Sequence, residues 1–162
     1  MKKFELTTDR IEENGTALYR IKSLIDFVDV KAGDLGGYVE KEENLSQSGD
    51  ACVSGDAWVS GSAKVYGDAW VSGSSKVYGD ARVSGDAWVS GDADYIFLKG
   101  FGSHNRSTTM FRAKSGNICV SCGCFSGTLE EFESKVKETH GNNKFAREYL
   151  ALVEVAKIHF EV

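Results

Sequence analysis

Glycine recurs at residues 49, 55, 61, 67, 73, 79, 85 and 91, an unbroken spacing of six. The text around these positions reads GDACVS, GDAWVS, GSAKVY, GDAWVS, GSSKVY, GDARVS, GDAWVS and GDADYI. A strict period of this kind builds an array of stacked units rather than a globule of unrelated elements. Within a hexad, Ala51 and Val53 have the same parity and point to one side of a short strand, while Cys52 and Ser54 point to the other. Glycine supplies a corner where positive φ costs little, and the aspartate after it bonds to neighbouring backbone amides. Short strands between sharp corners, with one small and one branched residue inward at each step, describe a coiled parallel β-helix.

These hexads resemble those of hexapeptide-repeat proteins. The resemblance implies a triangular turn of three hexads, left-handed coiling and a parallel homotrimer. The earlier hexad position, residues 43–48, keeps an inward Leu45 without its glycine. About three turns at about 4.8 Å each give a prism only ~15 Å tall, with open sheet edges that other elements must cover. Stacking every third hexad aligns Cys52, Trp70 and Trp88 in one outward column and Trp58 with Lys76 and Tyr78 on a second face. Lys64, Tyr66 and Arg82 fall on the third. Outward tryptophans cost about 1.5–3 kcal/mol each if left wet. Cys52, Trp58, Trp70 and Trp88 are therefore expected at a subunit interface, with packing against the chain's own terminal segments as the alternative.

Composition separates this chain from other glycine-rich polymers. Its 162 residues include 18 glycines and no proline, which excludes both collagen and a Pro/Gly/Ser linker. No apolar run is long enough to span a membrane. The Met1-Lys2-Lys3-Phe4-Glu5 start lacks an apolar signal core, so a cytoplasmic location is expected. Four cysteines there are expected to stay reduced.

The expected fold class is mainly β: a short left-handed parallel β-helix with an N-terminal β cap and a C-terminal α+β module. Residues 1–42 form the cap, 43–96 the repeat and 97–162 the module. Asn14-Gly15 marks a tight turn in the cap, next to the strand-like residues 17–24. In the module, strands are expected over Tyr95–Lys99, Ser107–Lys114 and Ile118–Phe125. Thr128 and Glu131 fit a capping box that starts a helix, Gly141 ends it, and Asn143 caps a second.

Chemistry is suggested by charge segregation. Residues 95–129 hold four cations and no acid, so the remainder carries −9 towards the chain's −5. Arg106, Arg112 and Lys114 share a strand parity, and like charges on one strand face repel unless an anion lies near. Lys99, Phe101, His104, Asn105, Arg106, Arg112 and Lys114 are the candidate ligand-binding residues, with the Gly100-Phe101-Gly102-Ser103 loop offering amides to a phosphate. The competing expectation is that these cations pair with Glu130, Glu131 or Glu133. Cys119, Cys122 and Cys124 invite a zinc reading, but Ile118, Val120, Cys122 and Cys124 share a face as a row of small apolar residues, with Cys119 opposite. No metal or other cofactor is expected, and no catalytic residue is assigned. The hexads carry neither an inserted loop nor a histidine, which disfavours an acyltransferase or a carbonic anhydrase.

Over nearly its whole length the chain resembles small hexapeptide-repeat proteins of bacteriophages and prophages. The resemblance rests on GDLGGYVEKEENLS (33–46), the GDAWVS hexads and FRAKSGNICVSCGCFSGTLEEFESKVKETHG (111–141). It implies a phage-like context, in which a non-enzymatic anti-defence protein that sequesters an anionic signalling nucleotide is the leading expectation. A protein-binding inhibitor or adaptor of a host defence complex is the alternative. Binding to a nucleic-acid polymer is disfavoured by the −5 net charge and the single small basic stretch.

Overall fold

A computed structural model describes residues 1–162. Strands β1 (Phe4–Glu13) and β2 (Thr16–Ser23) form an antiparallel hairpin. Asn14 and Gly15 turn it with φ of 51° and 80°, the two consecutive positive values of a two-residue type I′ turn. Strand β3 (Leu35–Val39) pairs antiparallel with β2 on one side and parallel with β5 (Trp58–Val59) on the other. Coil pairing therefore begins before residue 43, and the hairpin continues the β3-β5 face beyond its N-terminal edge.

The repeat forms the two-residue strands β4 (Cys52–Val53), β5, β6 (Lys64–Val65), β7 (Trp70–Val71), β8 (Lys76–Val77), β9 (Arg82–Val83) and β10 (Trp88–Val89). All pair in parallel, giving the three faces β4-β7-β10, β3-β5-β8 and β6-β9. Cys52 aligns with Trp70, Trp70 with Trp88 and Lys64 with Arg82, a register of 18 residues per coil. The first coil is longer, because Leu45 bridges Val65 while Gly49 lies against Gly67. Residues 46–48 absorb the excess, and Asn44 fills the preceding inward corner by donating to the carbonyls of Gly61 and Ala63 at 3.2 and 2.9 Å.

Seven of the eight ruler glycines adopt φ between 63° and 72°, as their corners demand. The eighth, Gly91, is extended at −154°. Asp94 ends the repeat there by accepting from the Ser90 and Gly91 amides and the Ser90 hydroxyl. From Ala51 to Val89 every repeat alanine and valine is at most 1% exposed, whereas Ala93 of the last hexad is exposed. Ser75 replaces one alanine and satisfies its hydroxyl on the Ser72 and Val89 carbonyls.

Strands β11 (Tyr95–Phe101), β12 (Arg106–Arg112), β13 (Ile118–Cys122) and β14 (Phe125–Thr128) form an antiparallel sheet. The expected third strand is thus two, divided at Gly123, whose φ is 61°. Helices α1 (Leu129–His140) and α2 (Lys144–Phe160) cover one face, where Met110, Ile118, Val120 and Cys122 meet Leu129, Phe132, Val136, Leu152 and Val153. Thr128 and Glu131 close the capping box, and the Asn143 side chain accepts from the Ala146 amide. The opposite face closes the solenoid: Tyr95 and Phe111 join its core, Ala113 bridges Ala87, and Lys114 donates its amide to Asp86. No helix is long and apolar enough to cross a membrane.

Candidate functional site

The alternation of β12 divides the expected basic patch. Thr108 and Met110 are fully buried on the helix side, between Arg106 at one end of the strand and Arg112 at the other. Arg112 lies 3.5 Å from Asp94, donates to the Phe160 carbonyl at 3.3 Å and sits over the Phe160 ring. Burial pushes the Asp94 carboxyl up, but hydrogen bonds from Ser90 and Gly91 and the nearby Arg112 charge outweigh it and hold its pKa below the ordinary value. Lys99 pairs with Asp80, and Lys114 lies over the Trp88 ring at 5.7 Å. Asn105 is a turn corner with φ of 49°, and Phe101 packs against the helix-side core. The seven candidate ligand residues therefore do not form one site. The acids that occupy their cations are Asp80 and Asp94, not the glutamates of α1.

A different set converges. Lys64 and Arg82, in register on β6 and β9, face a groove closed by the prism side of the C-terminal sheet. Its lining is Ser62, Lys64, Asp80, Arg82, Arg106, Ser107, Thr109, Ser121 and Gly123, around about 370 Å³, with no hydrophobic side chain. The sheet is keyed to the prism at this point, because the Arg82 amide donates to the Thr109 hydroxyl at 2.9 Å. Asp80 is engaged by Lys99, and none of the ten ion pairs includes Lys64, Arg82 or Arg106. Stacked like charges in neighbouring strands are unfavourable by themselves. Three uncommitted cations ringed by hydroxyls are arranged to receive an anion with several oxygens.

Arg106 also fronts a second cavity of about 550 Å³ on the helix side, with His104, Cys122, Cys124, Phe125, Phe132, His140 and Tyr149 on its wall. The Tyr149 hydroxyl donates to the Phe101 carbonyl at 3.3 Å, and burial beside Cys122 pushes its pKa up to about 12. Cys119 packs against the solenoid core, Cys122 is buried on the helix side and Cys124 is exposed. No three His, Cys, Asp or Glu side chains are grouped to hold a metal ion.

The four residues expected at a subunit interface also separate. Trp58 is 8% exposed beneath Leu18 and Tyr38 of the chain's own N-terminal strands. Cys52 is buried beside Lys3, whose ammonium donates to the Gly49 and Ala51 carbonyls, and burial pushes the Cys52 thiol up to about 11. Only Trp70 and Trp88 remain an open pair, stacked at 5.7 Å with Trp88 41% exposed.

Lys64 and Arg82 were readable as cations on the third prism face, but nothing local signalled that Ser107, Thr109 and Ser121 would fold back to face them. Repeat register, core and end sheet together define a mainly β protein built on a parallel β-solenoid. Residues 75–91, close to one coil, match the family described as YdcK beta solenoid repeat. Among curated proteins, none matches the chain.

Proposed function

We propose that this protein is a non-enzymatic binder that sequesters an anionic signalling nucleotide, in the manner of a phage-type anti-defence sponge. The observation that carries the reading is the groove in which Lys64, Arg82 and Arg106 converge without a carboxylate of their own. Phosphate oxygens would accept from these three cations and from Ser107 and Thr109. The rigid coils and the keyed sheet favour a preorganised pocket, which lowers the ordering cost of binding. The resemblance to phage and prophage hexapeptide-repeat proteins supplies the biological setting. In the same reading the coils are left-handed, the N-terminal strands act as a cap, and three copies associate in parallel through the Trp70–Trp88 face.

The test is calorimetry of the purified protein against cyclic dinucleotides, cyclic oligonucleotides and cyclic ADP-ribose isomers. At least one is expected to bind, to be released chemically unchanged on denaturation, and to lose about tenfold or more in affinity with Arg82→Ala. Absence of binding across the set, or recovery of a converted product, would overturn the proposal.

A second reading is favoured by the open Trp70–Trp88 stack, which also suits a host protein surface. Under that reading Trp88→Lys would abolish capture of a defence complex, and Arg82→Ala would not.

A further inference from the structure

Groove and cavity meet at a single side chain. Ser121 and Gly123 line the groove while Cys122, Cys124 and Phe125 line the cavity, so the two spaces lie on either side of the turn between β13 and β14. Arg106 lines both. Its guanidinium crosses the turn directly over Gly123, where a Cβ would collide with it. Glycine at 123 therefore serves two needs, the positive φ of the turn and the passage of Arg106.

The two spaces have opposite chemistry. The groove is wholly polar, with three cations, four serine or threonine hydroxyls, and one carboxylate, Asp80, that Lys99 already engages, whereas the cavity is half apolar and carries several rings. Phe132 meets Tyr149 edge-on at 5.5 Å and Phe125 at 5.3 Å, and His140 lies 5.9 Å from Tyr149 at a shallow angle. Phe132 and Tyr149 are buried within this cluster, so the half-buried Phe125 and His140 are the rings left open to a flat ligand, and the exposed His104 and Thr139 add hydrogen-bonding groups at the rim. A molecule complementary to both spaces needs a polyanionic end, a flat heteroaromatic end and a short polar connection past a guanidinium.

We propose that the helix-side cavity is the base-binding subsite of the same ligand site, with a nucleobase stacked there, phosphates in the groove, and Arg106 bridging the two. This rests on the groove being an anion site, and it adds that the ligand is a nucleoside phosphate rather than a bare polyanion.

The full-length protein is titrated calorimetrically with inorganic pyrophosphate and, separately, with the adenine, guanine, cytosine and uracil nucleoside diphosphates. At least one diphosphate is expected to bind ten times more tightly than pyrophosphate or better. Thr139→Trp, an exposed position that narrows the cavity mouth, and Phe125→Ala, which removes a stacking ring, should each reduce that advantage to less than threefold. Both should leave pyrophosphate affinity unchanged. Equal binding of pyrophosphate and all four diphosphates would overturn the base subsite and leave the anion groove standing. A preference that survives both substitutions would also overturn it, by placing the base elsewhere. No binding of any of the five probes would overturn both this inference and the anion groove.

Discussion

Under the proposed function, Lys64 and Arg82 are side chains that oppose folding and still serve binding. They lie directly opposite each other in a parallel pair, and neither has an acidic partner. Arg82→Ala removes the repulsion while keeping the backbone bond from residue 82 to Thr109. The ligand-free variant should therefore unfold at a urea concentration at least as high as the parent, although its affinity for the anion falls. A substitution that lowered both would make Arg82 a structural residue. Asp94 works in the opposite sense. Its pKa is depressed in the folded chain, so its stabilising contribution is complete above the unfolded value, about 4, and is lost as pH falls through the folded value. Thermal melts of Asp94→Asn should show lower stability than the parent near neutral pH, with the difference shrinking towards pH 2.

At the scale of the elements, the corners decide. Gly49 and Gly85 share nearly the same φ, 70° and 63°, but a Cβ on Gly49 would lie 2.7 Å from the Gly67 carbonyl oxygen while one on Gly85 meets nothing within 4 Å. Gly85→Ala should cost only the left-handed conformation, about 1–2 kcal/mol. Gly49→Ala should cost more, because two coils must also separate, and chemical denaturation of the pair distinguishes the terms. The coils were legible in the sequence because glycine spacing, inward Ala/Val parity and turn aspartates all repeat together. Thr128, Gly141 and Asn143 were legible for the same reason, as each marks a helix end by local hydrogen bonding. The division of β13 from β14 was not anticipated, because Gly123 interrupts an otherwise continuous strand pattern. The loss of the eighth corner is not legible because Gly91 keeps the spacing but adopts an extended conformation.

Across the whole molecule, local rules stop being informative. The basic stretch from residue 95 onward was visible as composition, but its cations point to different partners once the sheet is sandwiched between helices and prism. Arg106 alone reaches both spaces, and the other cations of the groove, Lys64 and Arg82, come from a distant segment of the chain. Likewise, only packing could show that Trp58 is covered by Leu18 and Tyr38 while Trp88 stays open. For the proposed trimer, Trp88→Lys should reduce the sedimenting mass to that of one 17.7 kDa chain without changing the far-ultraviolet dichroism. An unchanged mass would remove that face from any assembly.

The 18-residue register has one more consequence. Because each hexad advances the chain by one face, the solenoid sets the compass heading of everything attached beyond it. Loss of a single hexad between Lys64 and the terminal sheet would swing that sheet towards a neighbouring face and carry Arg106 away from Lys64, even with every coil still well packed. Gain of a full coil would raise the sheet without turning it. Between Lys64 and the sheet, then, only a change by whole coils keeps the two on the same face, so the groove itself acts as a counter of the repeats that separate them.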